Sequence, residues 1–439
     1  MPDSISRKEF TRRVLAGSAA LGLAPGILSA RSGSAGEAVR IGMIGTGRRG
    51  KGLLATLLSL KGVEVPAICE INPECLAGAQ KILAAAGQPK AKEYSRGPED
   101  YLRLLARADL HAVIIATYWE CHTPMAVAAM KAGKYAGVEV PAAITTEQCW
   151  ELVKTHEATG VPCMMLENWS FRRDNLAVLN MRRQGLFGEI VHCHCAHSHD
   201  CIAEWFFEPD GSLRWGGEYL VKRNCDQYPT HSLGPVISWL DIGCGDWFAT
   251  LASTATRSSG INDYFIRKYG PEHPNAKRVY KQGDIVTSVL KTVKGGTVVI
   301  NYDMQLPRPY DNRWLLQGTL GLYNEQRNSV YLDGRSPKEF EWESFDPYQQ
   351  KYEHAWWKAM NSDSGAASHG GTDYLELQKF VEAVRAGKQT PIDVYDSVAM
   401  SCVVGLSEQS IQAGGAPVPV PDFSGGRWKT KAPSFALEA

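Results

Sequence analysis

Val39-Arg40-Ile41-Gly42-Met43-Ile44-Gly45-Thr46-Gly47-Arg48-Arg49-Gly50 is the stretch that decides the N-terminal fold. A short apolar run predicts a buried strand, and it passes directly into Gly-x-Gly-x-x-Gly and the helical pattern Lys51–Leu60. A glycine motif alone says little. Here a strand precedes it and a helix follows it. An acid, Glu70, stands 20 residues beyond its last glycine, at the end of a second strand, Val63–Cys69. That context is a dinucleotide-binding fingerprint. Glycines let the backbone turn tightly and approach a diphosphate, and the helix N-terminus presents N–H groups and the positive end of its dipole. Gly45, Thr46, Gly47, Arg48, Arg49 and Gly50 are therefore candidate cofactor residues, the two arginines as loop residues near phosphate or solvent. Glu70 should accept hydrogen bonds from ribose hydroxyls and repel a 2′-phosphate, which favours NAD over NADP.

Outward from this motif, strands and helices alternate. Pro73–Ala86, Thr123–Ala132 and Thr145–Thr159 read as helices, His111–Ala116 and Tyr135–Val140 as strands. Such alternation implies βαβ units and a parallel sheet, placed at 38–165. The second half differs. Glu189–His199, Ile285–Val293, Thr297–Gln305, Leu315–Glu325 and Ser329–Asp333 read as strands, and Asn175–Gln184, Thr230–Leu240 and Leu375–Ala386 as helices. The expected fold class is α/β: a Rossmann domain, then an α/β domain over 166–425 with an open, mostly antiparallel mixed sheet, and a tail at 426–439.

The 439 residues, 44% hydrophobic and 21% charged with zero formal net charge, exclude a polyanion partner as the main business; no nucleic-acid partner is expected. The first 36 residues read as a targeting segment. Arg7, Lys8, Arg12 and Arg13 precede an apolar run, Val14–Leu28, too short and too interrupted to span a bilayer, so no stable membrane insertion is expected. Ser6-Arg7-Lys8-Glu9-Phe10 resembles a twin-arginine signal, which implies folded export to the periplasm or beyond. The 11 cysteines follow no regular spacing and read as free, buried thiols.

Three further stretches carry a family resemblance: the turn Thr117-x-x-x-x-His122-x-x-Met125-Ala126, the strand end Glu139-x-Pro141, and the glycine motif itself. Together they resemble the Gfo/Idh/MocA oxidoreductases, most of which carry Glu-Lys-Pro where this chain has Glu139-Val140-Pro141. The missing lysine argues against a plain sugar-alcohol dehydrogenase. Met164-Met165-Leu166-Glu167-Asn168, Tyr228-Pro229-Thr230-His231, Arg308-Pro309-Tyr310, Gln317-Gly318-Thr319, His369-Gly370-Gly371-x-Asp373 and Asp393-Val394-Tyr395-Asp396 resemble glycoside hydrolase family 109, NAD-dependent α-N-acetylgalactosaminidases.

The resemblance implies catalytic roles for Tyr228, His231, His199 and Tyr310, and substrate contacts for His197, Arg308 and Tyr228. It implies that Thr117, Trp119, His122, Glu139 and Asn168 line the nicotinamide and ribose. His197 stands where the family has tyrosine, which bears on which sugar is taken. The implied reaction removes hydride from C3 of a small-molecule or oligosaccharide glycoside, eliminates the C1 leaving group after loss of the C2 proton, adds water and returns the hydride. Histidine and tyrosine suit the acid–base steps near neutral pH. The alternative is an NAD-dependent sugar oxidoreductase that forms or reduces 3-keto sugars with net cofactor turnover. A dimer or tetramer is expected.

Two features compete with these readings. Cys193, Cys195, His197 and His199 would share one strand face and resemble a metal site, yet core or active-site packing is the preferred reading, and no metal is expected. Trp119, Trp205 and Trp215 are candidate sugar platforms, Trp119 foremost. Asp373, in a glycine-rich turn, reads as a helix cap or a structural contact.

Overall fold

A computed structural model describes residues 38–360 and 368–438; the leader expected at 1–36 lies outside the described residues. The chain divides into two compact units. The first takes in the described residues from 38 to Arg172 and within Trp356–Ser401, together with Ser434–Ala436. The second takes in Arg173–Ala355, Cys402–Pro433 and the described residues from Leu437 on.

The first unit is built on six parallel strands: β1 (Val39–Ile44), β2 (Val63–Cys69), β3 (Lys92–Tyr94), β4 (Ala112–Ile115), β5 (Tyr135–Val138) and β6 (Cys163–Met165). Their order, β3-β2-β1-β4-β5-β6, is that of a doubly wound nucleotide-binding sheet, as expected. Every residue of β4 and β5 is buried, which is why their sequences run apolar without alternation. The helix after the glycine loop spans Arg48–Ser59, three residues earlier than its apolar pattern suggested. The helix expected at Thr123 starts at Trp119 and carries Pro124 inside it.

One boundary changes. The helix expected over Leu375–Ala386 in the second domain spans Thr372–Ala386 and groups with the parallel sheet. Gly137 of β5 makes room for it: a Cβ there would lie 3.3 Å from the Phe380 ring. Tyr135 Oη donates to the Lys388 carbonyl at 3.1 Å, and Ser397 Oγ accepts from the Met165 N–H at 3.1 Å. Nothing in the local pattern of Trp356–Ser401 separates it from its neighbours.

The second unit holds a nine-stranded open sheet, ordered β14-β13-β12-β11-β7-β10-β9-β8-β15. Its strands are β7 (Ile190–Ser198), β8 (Phe248–Ala255), β9 (Val286–Thr292), β10 (Thr297–Asp303), β11 (Leu315–Gly318), β12 (Gly321–Asn324), β13 (Ser329–Leu332), β14 (Glu343–Ser344) and β15 (Val418–Pro419). All neighbours run antiparallel except β7 and β10. The single strand expected over Leu315–Glu325 is a hairpin, because Gly318 and Gly321 pair across a tight turn. A Cβ on Gly318 would sit 2.1 Å from the Phe187 carbonyl oxygen, so that corner admits no side chain. β8 and the long helix Val394–Gln412, which runs across the division, carried no clear local signal. The expected tail is packed as well: Trp428 is buried and its Nε1 donates to Asp422 at 3.0 Å.

Candidate active site

In the first unit the glycine loop is shaped by two tight approaches and one opening. Gly45 has φ +86°, and a Cβ there would lie 2.4 Å from the Ala116 carbonyl oxygen. A Cβ on Gly50 would lie 2.2 Å from the Gly45 carbonyl oxygen. Nothing lies within 4 Å of where a Gly47 Cβ would be. The first and last glycines thus let strand, loop and helix close up, while the middle one leaves open space at the helix start. The first turn of that helix carries no acidic residue and no side-chain cap. Glu70 Oε2 accepts the Thr46 N–H at 2.8 Å, which sets a carboxylate beside the loop. Open space over Gly47, a helix start without acid and a carboxylate at the end of β2 fit a dinucleotide with free ribose hydroxyls.

Arg49 turns away from a phosphate role. Its Nε donates to Glu139 at 2.6 Å and its Nη1 to Asp373 at 2.7 Å. Asp373, fully buried, also accepts from Asn168 Nδ2 at 2.7 Å and faces His369 Nδ1 at 2.9 Å. These donors hold the Asp373 carboxyl well below its ordinary range although burial pushes the other way. Asp373 is no helix cap: the cap position is Gly371, in the left-handed region at φ +93°. One helical turn on, Glu376 is buried with neither oxygen partnered, and burial, then Asp373, pushes its carboxyl well above the usual range. Sequence reading gave Asp373 only a structural part and missed that it ties Arg49, Glu139 and Asn168 together.

His122 is buried between two carbonyls, with Nδ1 2.8 Å from Pro141 and Nε2 3.2 Å from Thr117. Burial lowers its pKa, so the ring is neutral and carries one N–H, assigned to the shorter contact. It therefore braces the loops holding Thr117 and Glu139. Thr117 Oγ1 reaches Met125 Sδ at 3.6 Å, and Trp119 is buried at the start of its helix. Arg48 lies exposed on the first turn after Gly47.

In the second unit, β7, the helix Pro229–Trp239 and the loop between β10 and β11 bring five rings together. Tyr228 and His231 stand one turn apart at the start of that helix, so they share a face, with ring centroids 4.8 Å apart. His197, near the end of β7, has its ring 4.8 Å from Tyr228, 5.3 Å from His231, 5.6 Å from Tyr310 and 6.4 Å from His199. His199 and Tyr310 are 5.2 Å apart, and Tyr310 is 41% exposed. All four candidate catalytic side chains thus surround His197.

His197 is only 3% exposed, and neither ring nitrogen has a hydrogen-bond partner. Burial, reinforced by His231 and His199, drives its pKa well below the usual histidine value, so it is neutral. Asp226, also missed in the sequence, accepts the Tyr228 N–H through Oδ1 at 3.1 Å, and its buried Oδ2 has no partner. Burial raises its pKa to about 7 against the opposing pull of that N–H.

Arg308 is already engaged, with Nη1 2.6 Å from Asp303 and Nη2 2.9 Å from Asp311. Its visible role is to hold the turn before Tyr310. Trp205 packs against the cluster, 5.0 Å from Tyr228, and Trp215 stands 6.0 Å beyond it. Cys193 and Cys195 are buried on β7, and all 11 cysteines are free. Among the described residues no group of three or more His, Cys, Asp or Glu side chains could hold a metal ion. No helix among them is long and apolar enough to cross a membrane.

Known proteins match both units. Residues 39–167 match the oxidoreductase family with an NAD-binding Rossmann fold, and residues 171–430 match the C-terminal domain of glycosyl hydrolase 109. An α-N-acetylgalactosaminidase of Tannerella forsythia is 42% identical over 92% of this chain and 90% of its own length. A glycosyl hydrolase family 109 protein of Stenotrophomonas maltophilia is 40% identical over 99% of both chains. The fold also resembles a levoglucosan dehydrogenase solved with NADH (TM-score 0.65, 18% identity, 88% of this chain and 100% of that one). It resembles a myo-inositol dehydrogenase from Lactobacillus casei in complex with NAD(H) and myo-inositol (TM-score 0.61, 17% identity, 88% and 99%). With an NAD-binding Rossmann domain in front and the family's own C-terminal domain behind it, the chain belongs to glycosyl hydrolase family 109.

Proposed function

We propose that the protein hydrolyses a glycoside by transient oxidation, with no net consumption of NAD. The observation that carries this is the ring cluster in the second unit, His199, Tyr228, His231 and Tyr310 around a neutral His197, in a chain whose first unit binds NAD. NAD held by the first unit would supply a reversible hydride acceptor for C3 of the sugar. The remaining chemistry is proton movement and falls to the cluster. A C3 ketone acidifies the proton on C2, and His231 or Tyr228 removes it. The C1–oxygen bond then breaks by elimination. Water adds across the resulting C1=C2 double bond, its hydroxyl to C1 and its proton to C2. The sum is glycoside plus water giving free sugar plus alcohol. No carboxylate pair is demanded, unlike the usual glycosidase arrangement.

The family relative from Tannerella forsythia supports an N-acetylhexosaminide as substrate. The resemblance of Ser6-Arg7-Lys8-Glu9-Phe10 to a twin-arginine signal supports the retained-cofactor account, since a cofactor that is never consumed can leave the cytoplasm already bound. The test is one preparation. Enzyme recovered from the periplasmic fraction should contain about one NAD per chain and should cleave a nitrophenyl glycoside, screened as both anomers, without added cofactor and without net reduction of nicotinamide. Recovery empty of nicotinamide but active sinks the redox account. Stoichiometric reduction during turnover would point instead to a sugar oxidoreductase.

A further inference from the structure

His199 directly follows β7, and Cys201 lies two residues on, at the entrance to one turn of π-helix over Ile202–Phe206. The Cys201 Sγ is 3.3 Å from His199 Nδ1. Both residues are anchored through the main chain. The His199 N–H donates to the Asp303 carbonyl at 2.8 Å, and the Cys201 N–H donates to the Met304 carbonyl at 3.0 Å. The thiol is buried, whereas the His199 ring is partly exposed.

Two arrangements satisfy a neutral Cys–His contact: the thiol donates to Nδ1, or an Nδ1–H donates to sulfur. An imidazole lone pair is a strong acceptor and thiol sulfur a weak one, so the first arrangement wins. A thiolate–imidazolium pair is disfavoured, because burial, then the carboxylates of Glu204 and Asp200, push the thiol up. With Nδ1 accepting, a neutral ring must carry its proton on Nε2. Such a ring has no free lone pair left and cannot act as a general base.

We propose that Cys201 is a positioning residue that fixes His199 as its Nε2–H tautomer, so that His199 meets the substrate as a hydrogen-bond donor and leaves removal of the C2 proton to His231 or Tyr228. The tautomer stands on the contact alone; the division of labour rests on the glycosidase reading above.

The experiment uses full-length, NAD-loaded enzyme labelled with 15N-histidine. Long-range 1H–15N correlation reads the tautomer of His199, assigned by the signal lost in His199→Gln. Wild type and Cys201→Ser, which keeps a donor, should both show protonated Nε2. Cys201→Ala should show a mixture of tautomers. Cleavage of the best nitrophenyl glycoside should fall about 10-fold in kcat/KM for Cys201→Ala, and by no more than about 3-fold for Cys201→Ser, the scale of one hydrogen bond. NAD content and Tm on the same samples report whether each variant is folded. Protonated Nδ1 in the wild type, or an unchanged tautomer in Cys201→Ala, overturns the proposal, and the wild-type spectrum decides even if a variant does not fold. If no glycoside is cleaved while the Nε2–H signature holds, the glycosidase reading fails and the positioning role of Cys201 stands.

Discussion

Around the glycine loop of the first unit, Arg49, Asp373 and Glu70 are engaged by protein groups although Glu376 beside them is not, whereas the ring cluster of the second unit gathers several open polar atoms. Asp373 collects Arg49, Asn168 and His369, and Glu70 takes the Thr46 and Asn72 N–H groups. In the second unit, both nitrogens of His197, the Tyr302 hydroxyl, Ser198 Oγ and Asp226 Oδ2 are buried without a partner. A buried polar atom that no protein group satisfies costs stability, so several of them gathered around one ring cluster point to a ligand met there. The first region therefore holds a shape, and the second holds reactive groups ready for a ligand.

Substitutions in the two regions should separate rate from stability. The largest expected effect is on rate. His231→Ala should lower glycoside cleavage by about 1,000-fold, the middle of the range for a lost acid–base group, while bound NAD and Tm stay near wild type. An equal loss of bound NAD would show that the ring cluster is structural after all. Next comes stability. Asp373→Ala removes the shared partner of Arg49, Asn168 and His369 and should cost about 2–3 kcal/mol in urea unfolding, discounted because Arg49 is part-exposed. NAD affinity should fall with it. A loss below about 0.5 kcal/mol would mean the network is solvated and contributes little.

The smallest effect falls between the two regions in character. In the folded protein Asp226 keeps its proton until about pH 7, whereas the unfolded chain loses it near 3.8. The native state thus binds more protons over that window, and stability falls as pH rises through it. Asp226→Asn should remove this slope, gaining about 1 kcal/mol relative to wild type between pH 5 and pH 6. Parallel unfolding curves at the two pH values for both proteins would mean that Asp226 is ionised throughout.

These regions were unequally legible in the sequence. The glycine loop and Glu70 could be read because each depends on the chain's own nearest turns: a strand, a tight corner and a helix start within 32 residues. Tyr228 and His231 were named through the family resemblance, and the structure sets them at the start of one helix. Their association with His197, His199 and Tyr310 followed from the resemblance and from no local pattern. Arg308 shows the limit of that route: a substrate contact was expected, and the structure spends its guanidinium on Asp303 and Asp311. The hairpin at Gly318–Gly321 was missed because apolar alternation continues through its turn, and only the close approach of Phe187 reveals the corner.

What the sequence by itself determined was the parallel nucleotide-binding sheet and the residue types available for chemistry, since strand periodicity, glycine spacing and helix register are local properties of the chain. What only the tertiary structure decided was which groups meet: Asp373 with Arg49, 324 positions away, β7 parallel to β10, and the Cys201 thiol turned onto His199. Each of these depends on burial imposed by elements distant in the chain or on a backbone turned by its packing. Burial sets which polar groups must find a partner and which remain open, and no window of sequence contains that information.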